Sequence, residues 1–442
     1  MNFELDKQTI KDLEIFGDGK SANSVFNFYN QTKTIGGKEC LLELMENPLI
    51  DIQELNKRTE LLRFMASIDF DLKISSVQFD YIEHYINLNI PTLRNNIIDA
   101  FFKNISYRIK PSNDYYLIQS GIQQLKYLFN HLKEKLPILS QYDLPKSLSE
   151  QTKVLKEFIE NDDFNDFNEK GSLITFSSLN RLDFLLRKKY KNELHDFIKS
   201  IYVFDAYISI GKVANTKKLA FPEYSESLKP YISISQLYHP LLSNAVPYNI
   251  EITESYNLCF LTGPNMAGKS TFLKSIGLAI YISHLGFPVP ASKMKTSIYN
   301  GIVTTINLSD NINKGYSHFY SEVRRVKETA LKLKEKNTLF VIFDELFRGT
   351  NVKDAFDASL LIIEAFAKIN KSTFCISTHI TEVAEKLEKV PNIKFKYFDS
   401  KLIDNKPVFE YKLQDGVSHE RLGMYIVRNE NIVEILNSIN DN

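Results

Sequence analysis

The feature that most limits how this chain can fold is a glycine-containing loop past its middle. Residues 263–270 fit the pattern G-x4-G-K-[ST], and a threonine follows. The predicted site residues of the loop are Gly263, Pro264, Asn265, Met266, Ala267, Gly268, Lys269, Ser270 and Thr271. Glycines let several backbone N–H groups point at one anion, and a following helix adds its positive N-terminal end. The pattern predicts a phosphate-binding loop in which Lys269 reaches the outer phosphates and Ser270 ligates magnesium.

The residues around the loop agree with this interpretation. An apolar stretch at 258–261 predicts a strand directly before it, and residues 272–285 have the pattern of a helix directly after it. The alternative is a glycine-containing turn that binds nothing. A strand, a loop and a helix in this order favour the phosphate-binding loop, because the motif requires that context.

The sequence divides into two parts of different character. From about residue 232 onward, apolar stretches of strand length alternate with helical patterns, which predicts an α/β sheet that is at least partly parallel. The predicted strands are 258–262, 302–306, 339–343 and 373–377, with a late pair at 394–398 and 408–413. Residues 1–232 read as mainly helical, with amphipathic stretches at 27–49, 117–136 and 178–212 and a loop at 161–169. We therefore expect an α+α/β protein, with a helical domain over 1–232 and a P-loop, ABC-like ATPase domain over 233–442 whose sheet is mixed and largely parallel.

Two acidic residues follow the most apolar of the predicted strands. Asp344 and Glu345 come directly after 339–343, which reads as a strand buried on both faces. In P-loop ATPases an aspartate at this place holds magnesium, and an adjacent glutamate can activate the attacking water as general base. An acidic pair at a strand end is otherwise more often a cap or a solvated turn. Its place downstream of a phosphate loop favours the catalytic interpretation. His379 follows the 373–378 stretch, but a lone histidine is more often structural, so its position alone assigns no role.

Composition sets limits on location and partners. The 54 basic and 54 acidic residues cancel, so any nucleic-acid surface has to be a local patch. The three cysteines form no CxxC pair, no signal peptide precedes the first helical pattern, and no apolar stretch approaches the ~20 residues of a membrane span. We expect a cytoplasmic protein without a membrane segment. The best basic cluster is Arg181, Arg187, Lys188, Lys189 and Lys191, which could neutralise phosphates, although a run of charges is more often a solvated face.

Several motifs together resemble the MutS family of DNA mismatch-repair proteins. Residues 262–271 are similar to the family's phosphate loop, in which Gly-Pro-Asn-Met is a distinctive opening. Residues 315–322 resemble its Ser-Thr-Phe-x-x-Glu segment, 344–350 its Asp-Glu-Leu-Gly-Arg-Gly-Thr, and 377–379 its Ala-Thr-His switch. Weaker similarity to the family's core domain and lever helix occurs at 34–58 and 204–222, and residues 411–423 resemble the start of its helical C-terminus. The resemblance is strong only over 258–379.

The resemblance implies roles that spacing alone does not assign. The chain would bind ATP and Mg²⁺, hydrolyse ATP, and form a homodimer through its ATPase domains and a C-terminal helical segment. Ser317 would reach the γ-phosphate held by the opposite subunit, and His379 would sense the γ-phosphate. The 1–232 domain would be the core and lever part, and DNA would be bound through backbone contacts with weak sequence or mismatch preference.

Departures from the family pattern qualify this expectation. Ala267 stands where many members have glycine, and Phe347 replaces the glycine of Asp-Glu-Leu-Gly. The similarity to the core begins within about thirty residues of the first residue, so we expect a short form without the N-terminal mismatch-recognition and connector domains. An alternative is a nucleotide-driven protein dimer switch that does not need DNA. An ABC-transport or SMC-type ATPase is disfavoured, because no Leu-Ser-Gly-Gly-Gln motif and no long coiled-coil pattern occurs.

Overall fold

The structure, a computed structural model, contains helices and a mostly parallel sheet. It describes residues 3–17, 23–93, 113–139, 141–168, 174–227, 229–253, 255–306, 318–348, 350–403, 406–418, 431–432 and 435–436. The helices in these ranges are α1 (Lys7–Asp12), α2 (Val25–Tyr29), α3 (Ile35–Glu46), α4 (Ile52–Ser67), α5 (Ser76–Ile86), α6 (Asn113–Leu139), α7 (Lys146–Ile159), α8 (Phe176–Phe184), α9 (Lys191–Lys217), α10 (Lys269–His284), α11 (His318–Lys336), α12 (Val352–Ala367) and α13 (Thr381–Leu387). The strands are β1 (Glu4–Leu5), β2 (Glu223–Ser225), β3 (Ile232–Leu237), β4 (Tyr248–Ile252), β5 (Leu258–Thr262), β6 (Lys293–Ser297), β7 (Gly301–Thr305), β8 (Phe340–Phe343), β9 (Thr373–Ser377), β10 (Ile393–Ile403) and β11 (Lys406–Asp415). Within those ranges, no helix is long and apolar enough to cross a bilayer.

The chain forms two compact units, and each unit consists of more than one stretch of the sequence. The sheet unit consists of Met1–Phe28, Asn47–Thr59 and Lys217–Asn442, and the helical unit of Tyr29–Glu46 and Glu60–Thr216. This division differs from the expected break at residue 232, because two early segments of the chain belong to the sheet unit. Sequence periodicity identifies these segments as helical but carries no information about what they pack against.

The main sheet has seven strands in the order β1-β7-β8-β9-β5-β10-β11. All neighbouring pairs are parallel except β10 and β11, which are antiparallel. Every residue of β5, β7, β8 and β9 is buried, as expected for parallel strands covered on both faces. The predicted strands from 258 to 413 are thereby confirmed. A second sheet, ordered β2-β6-β3-β4, was not predicted.

An N-terminal segment completes one edge of the main sheet. β1 pairs with β7, and the carboxylate of Asp12 accepts hydrogen bonds from Thr304 Oγ1 (2.8 Å) and Ile306 N (2.9 Å). Arg325 of α11 donates to Asp6 (2.7 Å) and to the carbonyl oxygen of Thr304 (2.8 Å). These charge-assisted contacts hold the pKa of Asp6 far below its usual range, against the opposing effect of burial. The segment is therefore an integral part of the sheet unit.

Residues 47–59 join the sheet unit through the loop that follows α10. Leu49 N donates to the carbonyl oxygen of His284 (2.7 Å), and Thr59 Oγ1 donates to that of Gly286 (3.2 Å). The ring of His284 is fully buried, and burial lowers its pKa to about 4, so the imidazole is neutral at physiological pH. The division between the two units falls between Thr59 and Glu60, within the residue range of α4.

In the helical unit, a side chain of α9 accepts hydrogen bonds from the residues just ahead of α3. Asp205 of α9 accepts hydrogen bonds from Lys33 N, from Thr34 N and from Thr34 Oγ1, at 2.9, 2.8 and 2.8 Å, just ahead of α3. A Cβ atom added at Gly37 would lie 2.4 Å from Asp205 Oδ2, and one at Gly36 would lie 2.4 Å from the Tyr202 ring. The two glycines therefore allow α3 to approach α9 closely enough for these hydrogen bonds to form.

Two details of the helical unit differ from expectation. The predicted long helix at 178–212 is interrupted by a π-helical turn, Leu185–Lys189, and by Tyr190 between α8 and α9. The predicted loop at 161–169 contains a 3₁₀-helix, Asp162–Asn168. Its Phe164 and Phe167 are completely buried and lie against Phe129 and Phe158. The acidic and asparagine-rich composition suggested a solvated loop, but two aromatic side chains one turn apart anchor this segment in the core.

Candidate nucleotide site at the strand ends

The loop between β5 and α10 requires glycine at both of its ends. Gly263 has φ +135° and Gly268 has φ +108°, a region that side-chain-bearing residues rarely adopt. A Cβ atom at Gly263 would lie 2.8 Å from the carbonyl oxygen of Phe398. Between them, Met266 is highly exposed and Ala267 is buried. Ala267 has an ordinary φ, so the alanine that replaces a family glycine fits there without strain.

Lys269, the first residue of α10, turns back over the loop. Its side chain is buried, and Nζ donates to the carbonyl oxygens of Gly263 (2.8 Å) and Pro264 (3.0 Å). Burial lowers the pKa of Lys269, while the nearby carboxylates Glu345 and Asp344 act in the opposite direction. A desolvated ammonium group at the start of a 16-residue helix offers an anion both a full charge and the helix N-terminus.

Asp344 connects the loop to the neighbouring strands. Ser270 Oγ donates to Asp344 Oδ2, although the two residues lie 74 positions apart in the sequence. Ser377 Oγ donates to the other oxygen, Oδ1 (2.5 Å), and the backbone N–H of Asp344 donates to the carbonyl oxygen of Thr305 (2.9 Å). Burial raises the pKa of the Asp344 carboxyl, and the hydrogen bonds from Ser270 and Ser377 partly oppose that rise. The structure thus places the two expected magnesium ligands in direct contact.

The turn after Asp344 is strained. Glu345 has φ +55° and Phe347 has φ +60°, left-handed conformations that cost side-chain-bearing residues about 1–2 kcal/mol each. The family resemblance has glycine at position 347, which suits that conformation. Phe347 is buried, with its ring centroid 5.6 Å from that of Phe319, so burial of the aromatic ring offsets the backbone cost. Its side chain points into the core and leaves the acidic pair accessible.

A cleft of about 570 Å³ lies beside the loop. Residues expected from the sequence line one side of it, namely Asn265, Met266, Gly268, Lys269, Ser270, Thr271 and Glu345. The other side comes from residues that sequence reasoning did not identify, namely Leu242, Asn244, Ala245, Val246, Tyr248 and Tyr411. Tyr248 packs edge-on against Phe272 and Phe398, and burial raises its pKa to about 12, so its hydroxyl remains a donor. No spacing marks these residues, because they come from segments more than 150 positions apart.

The structure does not bring His379 to the cleft, and it does not describe Ser317. His379 follows β9 and is exposed, and it is not among the described residues that line the cleft. Ser317 lies outside the described residues, as do residues 419–423 of the expected C-terminal dimerisation segment. Within the described ranges, no three histidine, cysteine or carboxylate side chains cluster as in a multi-ligand transition-metal site.

The basic cluster in the helical unit is largely neutralised by acidic partners. Arg187 forms a bidentate pair with Asp183, through Nε to Oδ1 (2.7 Å) and Nη2 to Oδ2 (2.8 Å), and both side chains are almost fully buried. Arg181 pairs with Asp166 (3.2 Å), and Lys189 pairs with Asp163. The expected phosphate-binding patch is therefore reduced to the exposed side chains of Lys188 and Lys191. Charge counting along the sequence missed the pairing because the acidic partners of Arg181 and Lys189 lie in the segment read as a loop.

Together, the mostly parallel sheet, the glycine loop at the end of β5 and the acidic pair at the end of β8 define the class: an α/β protein with a glycine-containing loop and an acidic pair at the carboxyl ends of its strands. Residues 259–440 match the family model described as MutS domain V. Over these residues the chain belongs to the MutS family.

Curated relatives extend this similarity beyond that domain. The DNA mismatch repair protein MutS of Petrotoga mobilis is 30% identical over 239 residues, which make up 53% of this chain and 29% of that protein. The protein of the same name from Acholeplasma laidlawii is 25% identical over 410 residues, 87% of this chain and 47% of the relative. The DNA mismatch repair protein MSH3 of Candida glabrata is 28% identical over 307 residues, 66% of this chain and 29% of the relative. The chain spans less than half the length of each of these proteins.

Proposed function

We propose that the protein is a MutS-type ATPase that binds ATP with Mg²⁺ in the cleft of the sheet unit. The observation that carries the proposal is the contact between Ser270 and Asp344, which joins the loop to the end of the buried strand β8. A phosphate held at the start of α10 would lie beside a hydroxyl and a carboxylate oxygen, the set that P-loop ATPases use for the metal. The buried ammonium of Lys269 supports the same assignment.

The oxygen atoms present fit magnesium. Mg²⁺ prefers hard oxygen ligands and is usually held by one or two protein groups together with nucleotide phosphates and water. Ser270 Oγ and Asp344 Oδ2 already lie within hydrogen-bonding distance of each other, so one ion could bind both after displacing that hydrogen bond. The bound metal would neutralise charge that develops on the phosphates.

Glu345 is the residue that we assign to water activation. It lines the cleft with Lys269 and Ser270, and its side chain is about one quarter exposed. A carboxylate so placed can accept a proton from an attacking water molecule. Arg348 Nη1 contacts its Oε2 at 3.3 Å. The family resemblance adds His379 as a sensor of the γ-phosphate and Ser317 as a contact from the opposite subunit of a homodimer.

DNA is the proposed macromolecular partner. The named relatives are DNA mismatch repair proteins, and in this proposal the helical unit would bind the DNA backbone under control of the nucleotide. The alternative, a dimer switch that needs no DNA, keeps one observation in its favour: three of the five basic residues expected to contact DNA are paired with aspartates.

The experiment that tests the proposal measures ATP binding and hydrolysis with and without DNA. We expect Mg²⁺-dependent hydrolysis by the purified protein, and loss of tight ATP binding in Lys269→Ala, because the phosphates lose the only cation of the loop. Lys371→Ala, which removes an exposed lysine of the same unit, is the matched control. Nucleotide affinity that is unchanged by Lys269→Ala would refute the site. A hydrolysis rate that is unaffected by duplex, mismatched, branched and single-stranded DNA would favour the alternative.

A further inference from the structure

Ser377 is a buried hydroxyl at the end of β9 to which neither the phosphate-loop motif nor the family resemblance assigns a function. The resemblance has alanine at this place, in Ala-Thr-His. β8 and β9 are parallel neighbours, and the last pair in their register is Phe343 with Ile376. One step further along both strands, Ser377 therefore lies beside Asp344. Its side chain has no exposed surface.

The hydroxyl of Ser377 bridges both acidic residues. It donates to Asp344 Oδ1 (2.5 Å) and accepts from the backbone N–H of Glu345 (2.9 Å). The carbonyl oxygen of Ser377 also accepts from Leu346 N (3.2 Å). One residue of β9 thus contacts three successive residues of the turn that follows β8.

These contacts determine how each acid is presented. With Oδ1 of Asp344 held by Ser377, the other oxygen, Oδ2, is directed to Ser270 and the phosphate loop. Glu345 adopts φ +55°, a conformation that persists only where neighbouring groups hold it. The hydrogen bond from its N–H to Ser377 is such a restraint. Losing it would leave the partly buried N–H group of Glu345 without its acceptor and the strained turn less constrained.

We propose that Ser377 is a positioning residue that orients Asp344 toward the metal and holds Glu345 in its left-handed turn. This inference rests on the proposed function of the two acids. It assigns to the hydroxyl a task in metal binding that a purely structural buried serine would not have. Groups that orient a metal ligand typically contribute 10–100-fold to metal affinity or activity.

Ser377→Ala is the decisive variant, since it removes the hydroxyl without adding volume. The probe is a fluorescent, non-hydrolysable ATP analogue, whose affinity is measured without Mg²⁺ and then across a Mg²⁺ titration. We expect affinity without Mg²⁺ to change less than about twofold, because Lys269 and the loop remain. The Mg²⁺ concentration at half-saturation should rise about tenfold or more. Steady-state hydrolysis at saturating nucleotide should fall as well.

Two further variants separate positioning from general destabilisation. Ser283→Ala removes another fully buried hydroxyl, at the far end of α10, whose donor contact is to the carbonyl oxygen of Ile280 (2.7 Å). It should leave the Mg²⁺ titration unchanged. Ser377→Thr keeps the hydroxyl on a strand that tolerates β-branching, and should restore most of the Mg²⁺ affinity.

The outcomes are distinguishable. Normal Mg²⁺-dependent binding by the unmodified protein, with an unaltered titration in Ser377→Ala, would overturn the positioning role alone. So would a folded Ser377→Thr variant as impaired as Ser377→Ala. Absence of any Mg²⁺ effect in the unmodified protein would instead refute the proposed function, and the role of Ser377 with it.

Discussion

Replacing Arg187 by alanine should destabilise the helical unit strongly rather than weaken a surface interaction. The guanidinium makes two hydrogen bonds to Asp183 and two more to the carbonyl oxygens of Leu88 (3.4 Å) and Ile90 (3.0 Å). Its side chain is 5% exposed and that of Asp183 is 0% exposed. The substitution would leave a buried carboxylate without its cation, although Tyr85 Oη and Leu93 N still donate to it.

The expected cost follows from that geometry. Breaking a buried ion pair by removing one partner typically costs about 3–5 kcal/mol, because the remaining charge stays desolvated. Lys188→Ala and Lys191→Ala are the matched controls, since both side chains are exposed and surface substitutions usually change stability by about 0.5 kcal/mol or less. Urea denaturation followed by circular dichroism measures the midpoint of the helical unit for each variant. DNA affinity, measured in parallel, should respond to the two lysine variants if this surface binds DNA.

Two results would refute the reasoning. If Arg187→Ala unfolds at the same urea concentration as the unmodified protein, the pair with Asp183 does not carry the stability assigned to it. If the variant is equally stable but binds DNA several-fold more weakly, Arg187 is available to phosphates and the buried pair is open in solution.

Other predictions concern catalysis and DNA. Glu345→Gln should bind ATP normally and hydrolyse it about 10²–10⁴-fold more slowly, and a loss of ATP binding instead would show that Glu345 is a structural or metal-shell residue. Mixing the Ser317→Ala and Lys269→Ala proteins should recover some ATP hydrolysis. In a mixed dimer with composite sites, one site carries both changes and the other carries neither. If dimers that exchange subunits show no recovery, the site is not built from two subunits. The 442-residue chain should bind DNA with an affinity that falls steeply with salt and prefer a mismatched duplex by less than about threefold, under about 1 kcal/mol, because backbone contacts carry no sequence information. Titrations at two salt concentrations measure this, and a tenfold preference that persists at the higher salt would mean that the chain reads lesions directly.

The strands and the loop were predictable because their signals are local. Fully apolar stretches such as Phe340–Phe343 are typical of strands buried on both faces, and the loop motif is a contiguous pattern with a strand before it and a helix after it. The position of Asp344 and Glu345 at the end of β8 was predictable for the same reason. The contact of Asp344 with Ser270 also follows from the general rule that ligands bind at the carboxyl ends of parallel strands.

What the sequence did not reveal depends on pairing between distant residues. The partners of Arg181 and Lys189, the cleft wall at Tyr248 and Tyr411, and the bridging hydroxyl of Ser377 each come from tertiary contacts that no spacing encodes. A charge run looks the same in a sequence whether its members face water or carboxylates. The burial of Phe164 and Phe167 in a polar segment was missed likewise, because two aromatic residues can anchor a segment whose average composition is hydrophilic.

The attachment of the N-terminal segment to β7 bears on how the protein is made. Thr9 and Thr304, which share a hydrogen bond, lie 295 positions apart. At a translation rate of about 5–20 residues per second, the partner of the first segment leaves the ribosome roughly 15–60 s after the segment itself. Residues 60–216 of the helical unit are complete well before then and can fold while the sheet is unfinished. Leu13, fully buried in the finished protein, lies beside Gly277 of α10, which is made more than 250 residues later, so this stretch is where a chaperone would act on the nascent chain.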